Sequence, residues 1–208
     1  MNTRLYDRNS ALAYAKKWAL ARNPKYYNFD PVGGDCTNFV SQCLFAGSKK
    51  MNYYGWYYNN GYDKSPSWSG VEFLYNFLIK NNGYGPRGIV TTSDIIKFGD
   101  IAQLSFDGNH FEHNLFIVDV GTDNSLNNIS VATHTFGKAI SDYNFAKIRF
   151  VHIKDVGYWF FNKNRKIRVV LCHTEIFIYF LIFSLIFSLW FFSLLLLIEH
   201  QVLEKLQA

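Results

Sequence analysis

Cys36 stands at the end of Gly33-Gly34-Asp35 and at the head of Thr37-Asn38-Phe39-Val40-Ser41-Gln42-Cys43. The two glycines permit a sharp turn and a close backbone approach. Asp35 is a good N-cap, because its carboxylate can accept from the free N–H groups that follow, and the cap is favoured over the alternative that it helps to polarise the site. Phe39, Val40, Cys43 and Leu44 then recur at helical spacing, and Gly47 is the expected stop. A cysteine in the first turn lies at the positive end of the helix dipole. That position favours thiolate over thiol, and the thiolate is the nucleophile. The chemistry predicted is attack of Cys36 on an amide carbonyl. The competing reading is that Cys36 only packs, as buried cysteines often do. Cys43 lies two turns on among apolar neighbours and reads as core, and Cys172 is assigned no role.

A nucleophilic thiol needs a base within hydrogen-bond reach, and that base needs a group to hold its tautomer. His113 stands at the entry to an expected strand, Leu115 to Val120, and His134 near the end of another, Ile129 to Thr135. Either could be an ordinary satisfied polar residue. Two on consecutive strands, downstream of a helix-start cysteine, fit one constellation better. His110 rivals His113 but falls in a turn, and His152 is expected to face outward or end the sheet.

These groups must be positioned by helices and then by strands. Asp7 or Asn9 can cap a first helix with Leu12, Ala15, Trp18 and Ala19 as its apolar stripe, ended by Asn23-Pro24. After the cysteine helix, Met51 to Trp68 is rich in aromatic residues interleaved with Asn, Gly and Asp. Such rings can line a groove for a sugar or peptide chain, with Tyr54, Trp56, Tyr57 and Trp68 as the substrate contacts, or can pin a long loop to the core. Ser69-Gly70 opens a further helix that buries Val71, Phe73, Leu74, Phe77 and Leu78 and closes at Asn81-Asn82-Gly83. From Ile95 the period changes to that of strands: Ile101 to Phe106, Leu115 to Val120, Ile129 to Thr135 and Ile148 to Ile153. Helices first and strands after predict an α+β domain with an antiparallel sheet.

Of the 208 residues, 49% are hydrophobic and 19% aromatic, which is enough to build a core and excludes disorder for the bulk. The net charge of +5 is scattered, so there is no nucleic-acid footprint, although mild attraction to anionic polymers or membranes is compatible with it. Three cysteines make no disulfide framework, and no Cys-x-x-Cys metal pair occurs. No apolar run follows the basic residues of the N-terminus, so no signal peptide is expected. The expected organisation is a domain over 1–155, a basic linker over 156–175, a membrane span over 176–198 and a short tail over 199–208. The span rests on the 23 residues from Ile176 to Ile198, which carry no charge and match a bilayer core. Lys163, Arg165, Lys166 and Arg168 precede it, so the positive-inside tendency would keep the domain cytoplasmic.

The stretch Gly33 to Gln42 closely resembles the opening motif of the Putative amidase domain family. Ser67-Trp68 with its following helix, Gly99-Asp100-Ile101 and His134-Thr135 resemble that family's later landmarks, and the likeness runs from about Asn9 to Ile153. The family is similar to the NlpC-type and CHAP amidohydrolases. The resemblance implies a papain-like α+β fold with Cys36 as nucleophile, His113 as base and His134 as the orienting residue. It implies no cofactor, and it speaks against zinc, which Cys36, His113 and His134 would otherwise suit. Its mechanism is acyl transfer through a thioester, with backbone N–H groups at the start of the Cys36 helix holding the oxyanion. The implied substrate is a peptidoglycan-type amide, such as that of a muropeptide. Glu112-His113-Asn114-Leu115 departs from the small residue and glycine that those relatives place after the histidine.

A wall substrate lies outside the cell, against the charge-based orientation. The substrate could be an intracellular amide, the orientation inverted, or the tail the product of a frameshift. Two other functions stay open: a non-catalytic module gripping wall polymer or peptide, and an acyltransferase that passes the same thioester to an amine.

Overall fold

The computed structural model describes residues 2–123, 125–134 and 139–158. The expected span over 176–198, the tail, Cys172, Thr135 and the linker beyond Tyr158 lie outside the described residues. Among the described residues, no helix is long and apolar enough to cross a membrane.

Asp7 caps the first helix, α1 (Arg8–Trp18), by accepting from the Ser10 N–H at 2.9 Å. The buried positions of α1 are Ala11 and Ala15, whose small side chains let it lie close against α2 (Cys36–Ser48). It ends at Trp18, before the Asn23-Pro24 stop. α2 is no ordinary amphipathic helix: eleven of its 13 residues are buried, polar ones included. Gly47 does not end it. The helix runs on to Ser48 and closes at Lys49, which adopts a left-handed φ of 50°. Gly47 instead lets the chain before α1 cross over, since a Cβ there would sit 2.3 Å from the Tyr6 ring. The Asp7 N–H donates to Gly47 O at 3.2 Å across this contact.

A single turn, α3 (Pro66–Ser69), leads into α4 (Val71–Lys80). Leu74 and Leu78, one turn apart, are buried. Phe73, expected beside them, is 61% exposed, because one helical step carries it off that line. The sheet holds β1 (Asn2–Arg4), β2 (Gly85–Thr91), β3 (Ile101–Ser105), β4 (His113–Asp119), β5 (Ser130–Ala132) and β6 (Lys147–Tyr158). Every pairing is antiparallel, so the α+β class holds. β6 takes β2 along one side and β3, then β1, along the other, and β4 and β5 follow beyond β3. Alternation splits β4 between two cores. Phe116 joins the helix-side cluster, while Leu115 and Ile117 join Ile129 and Ile140 on the opposite face.

Gly99-Asp100-Ile101 is structural. The fully buried Asp100 carboxylate accepts from Arg8 Nη1 at 2.7 Å and from the backbone N–H groups of Lys97 and Ile153 at 2.8 Å. His152 Nδ1 lies 2.8 Å from the same carboxylate. His152 therefore faces inward from the middle of β6, not outward as expected. One buried charge ties α1, β3 and β6 together, and its partners offset the cost of burying it.

The aromatic segment behaves mainly as a pin. Trp56 and Trp68 are 0% exposed, so neither can offer a face to a substrate, contrary to expectation. Trp56 Nε1–H donates to Ser41 Oγ at 3.1 Å and Trp68 Nε1–H to Asn38 Oδ1 at 2.7 Å, fastening the loop to α2. Tyr57 is half-buried and stacks on Tyr53, whereas Tyr54 is 98% exposed.

Candidate active site

Cys36 reaches its place through backbone turns. A short 3-10 turn, Asp30–Val32, is followed by Gly33 and Gly34 at φ of 120° and 104°. Both values lie in the left-handed region, and nothing crowds a Cβ at either position, so the need for glycine is conformational. The turn closes with the Gly34 N–H donating to Phe29 O at 3.1 Å. Cys36 then opens α2 and faces a pocket of about 180 Å³. Gly33 to Cys36 form one wall, Glu112 and His113 at the start of β4 a second, and Thr133 and His134 just past β5 a third. The structure thus brings Cys36, His113 and His134 to one cavity. His110 does not line it: its exposed ring pairs with Asp107 at 3.0 Å. Cys43 is buried in the helix-side core, and burial pushes its thiol well up.

Asp35 occupies the N-cap position but makes no side-chain cap bond. Its buried carboxylate serves the site instead. Oδ1 accepts from the Phe29 N–H at 2.9 Å and from Asn38 Nδ2 at 2.8 Å, and Oδ2 is bonded to His134 Nδ1. Arg22 Nε lies 3.6 Å from the same oxygen, and Arg22 also pairs with Asp30 at 2.5 Å. His134 is therefore held by Asp35. Its Nε2 is buried with no hydrogen-bond partner among the described residues, and its ring packs 4.5 Å from Phe39. The expected direct link between His113 and His134 is not among the hydrogen bonds of the described residues. His113 packs between Phe106 and Tyr143, at ring distances of 6.2 and 5.8 Å.

Each polar residue of the cysteine motif has a partner. Asn38 joins Asp35 to Trp68. Gln42 Oε1 accepts from Tyr14 O–H at 2.7 Å. Thr37 Oγ1 accepts from Asn114 Nδ2 at 2.8 Å, and Asn114 Oδ1 accepts from Gln103 Nε2 at 2.6 Å. Arg149 Nε–H donates to Gln103 Oε1 at 2.6 Å, completing a buried ladder from β6 through β3 and β4 to the residue beside Cys36.

The electrostatics differ from the sequence expectation. Burial raises the Cys36 thiol above its ordinary value, and backbone N–H groups of Asn114 and Thr37 only partly offset it. The helix start does not leave a free thiolate. Burial also lowers the His113 imidazole, which keeps it neutral and able to accept a proton. Among the described residues, no three His, Cys, Asp or Glu side chains converge to hold a metal.

The fold is an α+β domain in which a helix-start cysteine, a histidine at the start of β4 and a histidine just past β5 share one pocket. The chain belongs to the Putative amidase domain family, whose model matches residues 5–161, and that membership points to hydrolysis of amide bonds. Two proteins of Bacillus subtilis (strain 168), both described as uncharacterized, are similar to it. YhbB is 34% identical over 120 residues, covering 54% of this chain and 37% of that protein. YjcM is 31% identical over 101 residues, covering 49% of this chain and 23% of that protein. The chain thus spans well under half the length of these relatives. No solved structure matches it.

Sequence reasoning missed Arg22, and it favoured a helix cap for Asp35 over a part in the site, whereas the Asp35 side chain makes no cap bond and holds His134. Asp35 and its partner His134 are 99 positions apart. The available signal was the second polar residue, Asn38, one turn after Asp35.

Proposed function

We propose that this domain hydrolyses an amide bond through a thioester on Cys36, in a papain-like arrangement. The observation that carries the reading is the shared pocket of Cys36, His113 and the Asp35-bound His134. In the resting site the thiol is protonated and His113 is neutral. As Sγ attacks the carbonyl carbon, its proton passes to His113. The N–H groups of Thr37 and Asn114 that face the sulfur temper its developing charge. First-turn N–H groups of α2, which the Asp35 side chain leaves uncapped, serve the oxyanion. The C–N bond breaks, and the amine leaves with the proton from His113. Water, deprotonated by His113, then attacks the thioester and frees the acid and the thiol.

Asp35 gives His134 its part. The Asp35 carboxylate at Nδ1 fixes the ring and leaves its buried Nε2 without a partner among the described residues, open to a group that enters the pocket. The substrate class this reading adopts is a peptide amide of peptidoglycan type, supported by the family resemblance. On the same reading the charge-free run over 176–198 is a single bilayer span.

The raised thiol favours a second reading, an inactive module that binds peptide or wall polymer. Intact-mass analysis of the full chain, acid-quenched during incubation with muropeptides, separates the two. A hydroxylamine-labile acyl adduct, lost in Cys36→Ser, is the expected result. Binding with neither adduct nor cleavage would establish the module.

A further inference from the structure

A second cleft of about 580 Å³ lies at the far end of α2. α2 rises about 1.5 Å per residue, so its 13 residues set the two cavities roughly 20 Å apart. Phe45 and Met51 line it among the core side chains, and Tyr58 and Tyr84 flank them. The rim is formed by Lys49, Lys50, Tyr53 and Tyr54, all exposed.

The rim is built, not loose. The Asn52 N–H donates to Trp56 O at 2.8 Å and the Gly55 N–H to Asn52 O at 3.0 Å, closing a tight turn around Tyr53 and Tyr54. The Asn52 side chain accepts from the Tyr54 N–H at 2.9 Å. The base of the turn is nailed to α2 through Trp56 and Ser41. Tyr58 is fixed by its hydroxyl, which accepts from the Tyr27 N–H at 2.7 Å. Two tyrosines therefore project from a rigid support: Tyr53 is stacked on Tyr57 on one side, and Tyr54 is almost wholly exposed.

The lining carries two lysines and no acidic residue, and neither ammonium group makes a salt bridge among the described residues. Aromatic faces suit the C–H faces of sugar rings, and paired cations suit a carboxylate or other anionic substituent. We propose that this cleft is a binding site for an anionic oligosaccharide, with Tyr53 and Tyr54 stacking on sugar rings and Lys49 and Lys50 reading the charge. The site stands apart from Cys36 and does not depend on catalysis there.

Isothermal titration of the full chain tests it with two probes of equal length. One is a tetrasaccharide of alternating glucuronate and N-acetylglucosamine, and the other is neutral chitotetraose. The charged probe is expected to bind at one equivalent and at least about tenfold more tightly than the neutral one, as charge-assisted hydrogen bonds allow. Tyr54→Ala and Lys50→Ala each weaken it, while Cys36→Ser leaves it unchanged. Equal affinity for both probes overturns the charge reading. Binding that survives Tyr54→Ala overturns the stacking role, and absence of binding overturns the site. Because Cys36→Ser reports separately, a failed hydrolase reading leaves this result intact.

Discussion

The carboxylate of Asp35 is bonded to Nδ1 of His134, although Asp35 precedes the cysteine helix and His134 follows the fifth strand. The pair turns a residue placed to cap a helix into one that orients an imidazole. Both side chains are almost wholly buried, at 0% and 4% exposure, so their link is shielded from water. Asp35→Asn keeps the shape but sets an amide against the donors from Phe29 and Asn38. It is expected to lower kcat for amide hydrolysis by up to about four orders of magnitude, the effect of losing an orienting carboxylate. Asp35→Ala is expected to cost about 3 kcal/mol of stability besides, since it strands buried partners. Urea unfolding and steady-state rates measured on both variants check this. Full activity in Asp35→Asn would remove the pair from the mechanism.

The pH profile follows from the two burial shifts. Below its ordinary value of 6.5, His113 remains neutral further into acid than a free imidazole. The acid limb of kcat/KM is therefore expected below pH 6.5, where the base becomes protonated. Cys36 is raised above 9.0, so alkylation by chloroacetamide should be slow at neutral pH and climb only in strong alkali. The unfolded chain protonates His113 first as pH falls through 6.5, so acidification destabilises the fold until the lowered native pKa is passed. His113→Gln should flatten that acid-side loss in thermal unfolding scans. A limb near pH 8 to 9 in the hydrolysis profile, matching thiol ionisation, would point to a preformed thiolate instead.

Trp68 and Tyr54 test the two uses of aromatic residues. Trp68→Phe removes the donor to Asn38 Oδ1 in a fully buried setting. A stranded buried acceptor costs about 1–3 kcal/mol, so the urea midpoint should fall. Activity should fall with it, because Asn38 also steadies Asp35. Tyr54→Ala should leave the midpoint where it is, because the ring is 98% exposed. Equal loss from both substitutions would contradict this division.

Much of the site was legible because its signals are local. A glycine turn, a helical period and two strand periods place Cys36, His113 and His134 without knowledge of tertiary structure. The α+β class and four of the six strands among the described residues follow from the same periodicities. β2 was hidden because Gly85-Pro86-Arg87-Gly88 has no apolar alternation, and its pairing with β6 is decided only in the folded chain. β1 was hidden by its length of three residues. Trp56 and Tyr54 were inseparable because burial of an aromatic depends on the turn that carries it. The dipole argument for the thiol is local, whereas the burial that raises Cys36 is set only in the folded chain.

The buried ladder beside Cys36 offers the sharpest test of how the site is held. Asn114 bonds Thr37 through its amide nitrogen and Gln103 through its oxygen, and its backbone N–H faces the Cys36 sulfur. Thr37→Val deletes one acceptor while keeping the side-chain shape. Asn114→Ala strands both Thr37 and Gln103. The first change is expected to cost about 1 kcal/mol and the second about 2–3 kcal/mol, the range for unmade buried hydrogen bonds. Because the two side chains share a bond, the double variant should lose less than the sum of the singles. If the ladder positions the sulfur, kcat should fall more than KM changes, and the alkaline rise of Cys36 alkylation should shift in both single variants. Additive losses of stability with an unmoved alkylation profile would show that Asn114 and Thr37 only pack.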